Sequence, residues 1–165
     1  MTYFQPRILF LIIFIGCASL LSTAIFLDPF KNMIPCPMCM MQRAFFVSLG
    51  IVALIAAIHG AKNWGQKVYA FIIVAFSMGG ASVAIRQLWL QSLPEDQVPA
   101  CGPGLDYMLD VFPISEVVMM ALRGTGDCAK VQWTFLHLSI AGWSLLAFVA
   151  VAAVCFSIIF KNRSK

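Results

Sequence analysis

Four long apolar runs divide the chain, and each is about as long as a helix that crosses a membrane. They cover 8–27, 40–58, 68–89 and 142–160. A helix needs about 20 mostly apolar residues to span the roughly 30 Å of hydrocarbon in a bilayer. The pattern therefore predicts an all-α membrane protein, a four-transmembrane-helix bundle that forms a single domain over 1–165.

The connections between the runs differ greatly in length. Segments 28–39 and 59–67 are short, whereas 90–141 is far longer than an ordinary connection between helices. Within this long loop, an apolar stretch at 115–122 predicts a short helix with Ser115 as its N-cap. We expect that helix to lie on the membrane surface.

Several residues predict where helices end or pack. Asp28-Pro29 is expected to end the first helix, because proline disfavours a helical conformation in the residue before it. Pro37 suits the first position of the second helix, and Gly60 suits its C-terminal cap. Small residues that let a neighbouring helix approach closely form a strip in the third helix, namely Ser77, Gly79, Gly80, Ala81, Ser82 and Ala84.

The start of the chain also has features of a signal peptide, because Arg7 precedes an apolar run. That run continues through Phe26, which is longer than the roughly 7–15 residues of a signal peptide's apolar region. We therefore interpret the first run as an uncleaved anchor.

Composition and charge place the chain in the membrane and give it an orientation. Hydrophobic residues make up 61% and charged residues 11%, too few polar groups to cover a soluble core. All seven acidic residues fall in 28–39 and 90–141. By the positive-inside rule these loops face outward, and 1–7, 59–67 and 161–165 are cytoplasmic. The net charge of +4 then gives no reason to expect nucleic-acid binding.

The six cysteines fall into two groups. Cys17 and Cys155 lie inside apolar runs, where a free cysteine packs as a small hydrophobic residue. The other four lie in the outer loops, in an oxidising space. Cys36 and Cys39 are three residues apart at the start of the second helix, whose dipole favours a thiolate at Cys39. Arg43, one turn further on, adds a positive charge on the same helix face.

The long loop contains the second pair, Cys101 and Cys128. Proline and glycine surround Cys101, and a glycine-rich turn predicted to be flexible precedes Cys128, so the two could close a large loop. Two separate pairs on one oxidising face form the arrangement that thiol–disulfide exchange needs.

Two other interpretations are compatible with these cysteines. The four outer thiols could form two inert disulfides, although a disulfide across the short Cys36–Cys39 segment would constrain little chain. The chain could instead bind or transport copper, since soft sulfur ligands suit Cu(I), but Arg43 would repel a cation. The methionines near the first pair are Met33, Met38, Met40 and Met41.

Four motifs together resemble the disulfide bond formation protein B (DsbB) family across nearly the whole chain. They are Cys-Pro-Met-Cys-Met-Met-Gln-Arg at 36–43, Arg-Gln-Leu-Trp-Leu-Gln at 86–91, Val-Pro-Ala-Cys-Gly-Pro-Gly-Leu-Asp at 98–106, and Gly-Asp-Cys-Ala at 126–129. The resemblance implies a protein-dithiol:quinone oxidoreductase of the bacterial inner membrane. Such an enzyme reoxidises a DsbA-type periplasmic thiol oxidase and passes the electrons to ubiquinone or menaquinone.

The resemblance also implies a role for each outer cysteine. Cys101 is the sulfur attacked by the partner's thiolate, and Cys128 is its resolving partner. Cys39 is the thiolate that contacts the quinone, and Cys36 is its partner. No metal is implied.

Two further residues are assigned to the quinone site by the same resemblance. Arg43 is one of them, and Gln87 is the other. Some members of the family have a histidine near the position of Gln87, so the hydrogen bonding around the quinone is expected to differ here.

Overall fold

Four long helices contain the four predicted runs, and a set of short elements folds over one end of them. The computed structural model describes residues 6–30, 36–60, 62, 64–100, 102, 105–131 and 133–161. In chain order the elements are α1 (Pro6–Phe30), α2 (Pro37–His59), α3 (Trp64–Gln91), a 3₁₀ turn (Glu95–Gln97), α4 (Leu105–Val111), α5 (Ile114–Arg123), α6 (Gly126–Ala129), β1 (Thr134–Phe135), β2 (Leu138–Ser139) and α7 (Ile140–Lys161).

Within the described ranges, α1, α2, α3 and α7 are long and apolar enough to cross a membrane. Helix α3 packs against both α2 and α7, and α1 packs mainly against α2. The prediction of an all-α membrane protein with four membrane helices is confirmed. Which connections face the cytoplasm and which the periplasm stays a prediction.

The small-residue strip of α3 receives aromatic rings from two neighbouring helices. The ring of Phe148 in α7 is fully buried against Gly80 and stacks on Phe46 of α2, with ring centroids 4.1 Å apart. Gly79 meets the ring of Phe45 in the same way. Bare glycine backbone thus allows two helices to place aromatic rings directly on α3.

Replacing Gly80 with alanine should destabilise the bundle, because the added methyl group would overlap the buried Phe148 ring. Overpacking of this kind costs about 1–3 kcal/mol of the free energy of unfolding. Gly16→Ala is the matched control, since a Cβ there meets nothing within 4 Å. Thermal unfolding in detergent micelles measures both. Equal stability of the two variants would contradict this account of the packing.

The helix ends agree with the sequence in some places and differ in others. Gly60 caps α2 in the left-handed conformation, with φ of 58°, as predicted. The expectation that Asp28-Pro29 ends α1 was wrong, because the helix continues to Phe30. Proline has no N–H group and so removes one backbone hydrogen bond from a helix. Pro29 lies in the last turn of α1, where the loss of that bond affects few other residues. Helix α3 begins at Trp64, four residues before the predicted span.

The short helix predicted in the long loop is present as α5, but its cap differs from the prediction. The N-cap is Pro113, whose carbonyl accepts the N–H groups of Glu116 and Val117, so Ser115 lies inside the first turn. The sequence indicated Ser115 as the capping residue. In the structure no side chain caps the helix, and the carbonyl group of Pro113 accepts its first hydrogen bonds instead. Apolar side chains remain exposed on α5, including Ile114 and Met119. Its position on a membrane surface stays a prediction.

Arg86 joins α3 to the end of α5. Its guanidinium donates to the carbonyl oxygens of Leu122 and Arg123 at 3.3 and 3.2 Å and lies 4.8 Å from the centre of the Trp89 ring. The structure shows that Arg86 binds the carbonyl end of α5 and so fixes the segment that leads into α6.

The segment before Cys128, predicted to be a flexible turn, passes through Gly124 and Thr125 into the short helix α6, in which Cys128 is fully buried. The N–H of Gly126 donates to the carbonyl of Ala100, and the N–H of Cys128 donates to the carbonyl of Thr125. The first of these bonds joins α6 to the start of the long loop. The flexibility of the turn stays a prediction.

Candidate thiol–disulfide site

The first cysteine pair lies at the N-terminus of α2. Cys36 is the N-cap residue, in an extended conformation, and its Sγ accepts the N–H of Cys39 at 3.3 Å. Pro37 occupies the first turn, as predicted. The two sulfurs are 2.7 Å apart, with Cys36 donating to Cys39. Cys36 is buried and Cys39 is partly exposed, so an approaching molecule reaches Cys39 more easily.

Cys128 belongs to the same site. It packs against Cys36 in a small apolar cluster with Met38, Val83 and Leu90. Its sulfur lies 3.6 Å from Oγ1 of Thr125. The sequence placed Cys128 on a separate loop, and the structure instead brings three sulfurs together at the start of α2.

Hydrogen bonds divide the protons unequally among these sulfurs. The bond that Cys36 donates lowers the pKa of Cys128, and a backbone N–H of Met38 lowers it further against the opposing effect of burial. The bonds to Cys128 and Cys39, together with burial, raise the pKa of Cys36. Cys36 therefore holds a proton between two neighbours, and Cys128 is favoured as a thiolate, the nucleophilic form.

Two buried glutamines stand beside the sulfurs. Gln87 of α3 donates from Nε2 to Cys39 at 3.3 Å and to Cys36 at 3.6 Å. Gln42 of α2 donates from Nε2 to Oε1 of Gln87 at 2.8 Å, and both side chains are 3% exposed. The family resemblance assigns Gln87 to the quinone site and gives no role to Gln42. The available signal was its spacing, since a polar residue three positions after Cys39 shares its helix face.

A small surface cleft with a volume of about 30 Å³ leads to the sulfurs. Cys36, Cys39 and Gln87 lie on one side of it, and the segment after α6 and the start of α7 form the other. The remaining lining residues are Gln91, Asp127, Lys130, Val131, Trp133, Ser139 and Ile140. The cysteine pair thus reaches the surface through Cys39, at the end of the bundle where the short elements fold.

Not every predicted site residue is placed by the structure. Cys101 lies outside the described residues, so its pairing with Cys128 stays a prediction. Arg43 follows Cys39 by one turn, and its Nη1 lies 4.0 Å from Sδ of Met40. Cys17 and Cys155 are buried in the core of the bundle, in agreement with a packing role.

The copper interpretation gains no support from the described part of the chain. Among those residues, no group of three or more His, Cys, Asp or Glu side chains is placed to hold a metal ion. Met38, one of the methionines near the pair, is fully buried in the packing around Cys128.

A membrane helix bundle with contacting thiols at one helix N-terminus defines a membrane thiol–disulfide oxidoreductase. The chain belongs to the DsbB family, whose family model, described as "Disulfide bond formation protein DsbB", matches residues 6–158. The resemblance seen in the sequence motifs is thereby confirmed. The protein is a multi-pass membrane protein that forms disulfide bonds.

Relatives with the name "Disulfide bond formation protein B" match almost the full chain. The protein from Hahella chejuensis is 56% identical over 148 residues, 90% of each chain. The protein from Stutzerimonas stutzeri is 46% identical over 151 residues, 92% of this chain and 93% of its own. The one from Marinobacter nauticus is 45% identical over 158 residues, 96% and 94% of the two chains.

Proposed function

We propose that this protein is a protein-dithiol:quinone oxidoreductase of the bacterial inner membrane. It reoxidises a DsbA-type periplasmic thiol oxidase and passes the electrons through two cysteine pairs to ubiquinone or menaquinone. The observation that carries the proposal is the contact of Cys128, from the long loop, with Cys36, from the membrane pair. A relay between two pairs requires such a contact, whereas two inert disulfides do not.

The exchange begins on the loop. A thiolate of the partner attacks Cys101 in a Cys101–Cys128 disulfide, and Cys128 leaves as the thiolate. The partner's second thiolate then displaces Cys101, so the partner gains a disulfide and the loop pair is reduced. Two electrons have moved from the partner to the chain.

The electrons next pass to the membrane pair. The Cys128 thiolate attacks Cys36 in a Cys36–Cys39 disulfide, so the Cys36–Cys128 bond forms and Cys39 leaves as the thiolate. Cys101 then attacks Cys128, which restores the loop disulfide and releases Cys36. Attack at Cys36 is supported by its burial together with Cys128 in one cluster, against whose edge Cys39 packs.

The residues around Cys39 fit a quinone as the final acceptor. A quinone takes two electrons and two protons, and the Cys36–Cys39 dithiol releases two of each when it becomes a disulfide. Cys39 is partly exposed beside the cleft, and the amide of Gln87 offers N–H donors there. The pair lies at the end of an apolar bundle, a position open to a lipid-soluble acceptor. Arg43 supplies a positive charge one turn away.

The charge distribution supports the location. The acidic residues are confined to the two loops that contain the four reactive cysteines, and positive charges mark the termini and the other connection. By the positive-inside rule this distribution supports a position of the cysteines on the periplasmic side of the inner membrane, where a DsbA-type oxidase would meet them.

One assay tests the proposal directly. Purified protein is mixed with a reduced DsbA-type oxidase and a soluble analogue of ubiquinone or menaquinone, and quinone absorbance is followed. We expect one quinone to be reduced for each partner dithiol oxidised. Partner oxidation without reduction of either quinone would show that the acceptor is something else.

The contact between Cys36 and Cys128 predicts a specific cross-link. When a Cys39→Ala, Cys101→Ala double variant is oxidised, Cys36 and Cys128 should join in a disulfide, because each has lost its usual partner. Mass spectrometry of non-reduced peptides detects the link. Cys17 and Cys155 remain as internal controls, since both are buried in the bundle core and should stay as free thiols. Failure of the Cys36–Cys128 link to form would mean that the two sulfurs do not react as their contact suggests.

A further inference from the structure

The two buried glutamines form a directional chain of hydrogen bonds that ends on a sulfur. Gln42 donates to Oε1 of Gln87 at 2.8 Å, and Gln87 donates to Cys39 at 3.3 Å. Each amide is 3% exposed, so water has little access to take the place of either partner. We infer that Gln42 is a positioning residue, which holds the Gln87 amide with its N–H groups toward Cys39 and so stabilises the Cys39 thiolate.

The direction of these hydrogen bonds follows from which groups can donate and which can only accept. A thiolate can only accept hydrogen bonds, so it favours the Nε2 side of Gln87. The Oε1 atom of Gln87 then needs a donor, which Gln42 supplies. A Cys39 thiol could instead donate to Oε1 of Gln87, but that contact is longer, at 3.8 Å. The shorter contact is thus the one that suits the charged sulfur.

This inference rests on the proposed function only in taking Cys39 as the sulfur that reacts with the quinone. A stable Cys39 thiolate makes Cys39 the better leaving group when Cys128 attacks Cys36, and it keeps the sulfur ready to react. Gln42 would then tune the reaction without touching any reacting atom. Its effect can be measured on Cys39 itself, with no quinone or partner present.

Other titratable or charged groups near Cys39 also affect its thiolate fraction, so the variants that are compared must leave these groups unchanged. Cys36 lies before α2, Arg43 follows on α2 itself, and Cys128 lies in α6. Asp127 and Lys130 line the same cleft from α6 and the residue after it. The uncharged substitutions of Gln42 and Gln87 keep all five groups and add none, so a change at Cys39 in those variants reports on the amides.

The test is alkylation of the fully reduced, quinone-free protein over a range of pH, with Cys39 resolved from Cys36 by peptide fragmentation. Gln87→Met should move the midpoint of the Cys39 profile up by about one pH unit, a tenfold loss of thiolate below the midpoint. Gln42→Glu should have a similar effect. A carboxylate has no N–H to donate and would turn the Gln87 amide, so that its oxygen faces the sulfur.

Gln42→Met provides a second, uncharged variant in case Gln42→Glu folds poorly. It should reduce the Cys39 thiolate by about threefold, because the Gln87 amide is then free to turn. The same substitution should have no further effect in a Gln87→Met background, since Gln42 acts through Gln87. Gln91→Met is the matched control, one turn along α3, where the amide oxygen accepts from Ser139 instead. It should leave the Cys39 profile in place.

Two results would overturn the inference. One is an unchanged Cys39 profile in both Gln42 variants, and the other is a Gln42→Met effect that persists fully in the Gln87→Met background. Neither depends on quinone reduction, so a wrong assignment of the final acceptor would leave this test intact. A shift at Cys39 together with absent quinone reduction would support the amide chain and reject the proposed acceptor.

Discussion

Replacing Cys128 with alanine is expected to stop turnover, with a loss of at least about a thousandfold in partner oxidation. Cys128 is the one described loop sulfur that packs against the membrane pair, so no other described loop group can deliver electrons to Cys36. Cys101 would also lose its resolving partner. When the variant meets the oxidised partner, the Cys101 thiolate should attack the partner's disulfide and remain joined to it.

The trapped species identifies the sulfur that first meets the partner. Non-reducing electrophoresis detects the mixed disulfide, and mass spectrometry locates the bond, which we expect at Cys101. Cys155→Ala is a suitable control, because that thiol is also fully buried but lies in the bundle core. A mixed disulfide at Cys36 or Cys39 would reverse the assignment of the two pairs.

Arg43→Ala should give the second large effect, a loss of about a hundredfold in kcat/KM for quinone. Arg43 lies one turn beyond Cys39, where a fixed positive charge favours the thiolate and the negative charge that develops on a reduced ring. Arg43→Lys should be intermediate, because lysine keeps the charge but loses the planar fork that can bond a carbonyl oxygen. Steady-state rates as a function of quinone concentration measure both variants.

A second measurement separates this role from the earlier exchange steps. In a single turnover without quinone, partner oxidation should persist in the Arg43 variants, since Cys128 packs against Cys36 rather than Arg43. Arg7→Ala serves as the control, because Arg7 donates to the carbonyl oxygen of Ala57, near the opposite end of α2 from the cysteines. Unchanged quinone kinetics in Arg43→Ala would leave Arg43 only the role of a charge at the membrane interface.

The parts of this protein that the sequence determined are those governed by local chemistry. Run length and composition specified the four membrane helices, because a bilayer demands a fixed length of apolar helix. Pro37 and Gly60 marked the ends of α2, since each restricts or frees the backbone at its own position. The same local reasoning failed at Pro29 and Ser115. There the tendency of proline to end a helix, and of serine to cap one, mattered less than the backbone hydrogen bonds of the surrounding segment.

The contacts that make the site were decided only by the tertiary structure. Membrane helices are apolar on nearly every side, so no stripe of hydrophobic residues shows which face meets which neighbour. The pairing of Gln42 with Gln87 depends on how α2 and α3 are rotated against each other, and the sequence gives no measure of that rotation. The packing of Cys128 on Cys36 depends on the folding of the whole long loop. Sequence thus identified the reactive residue types, and packing between distant segments determined which of them meet.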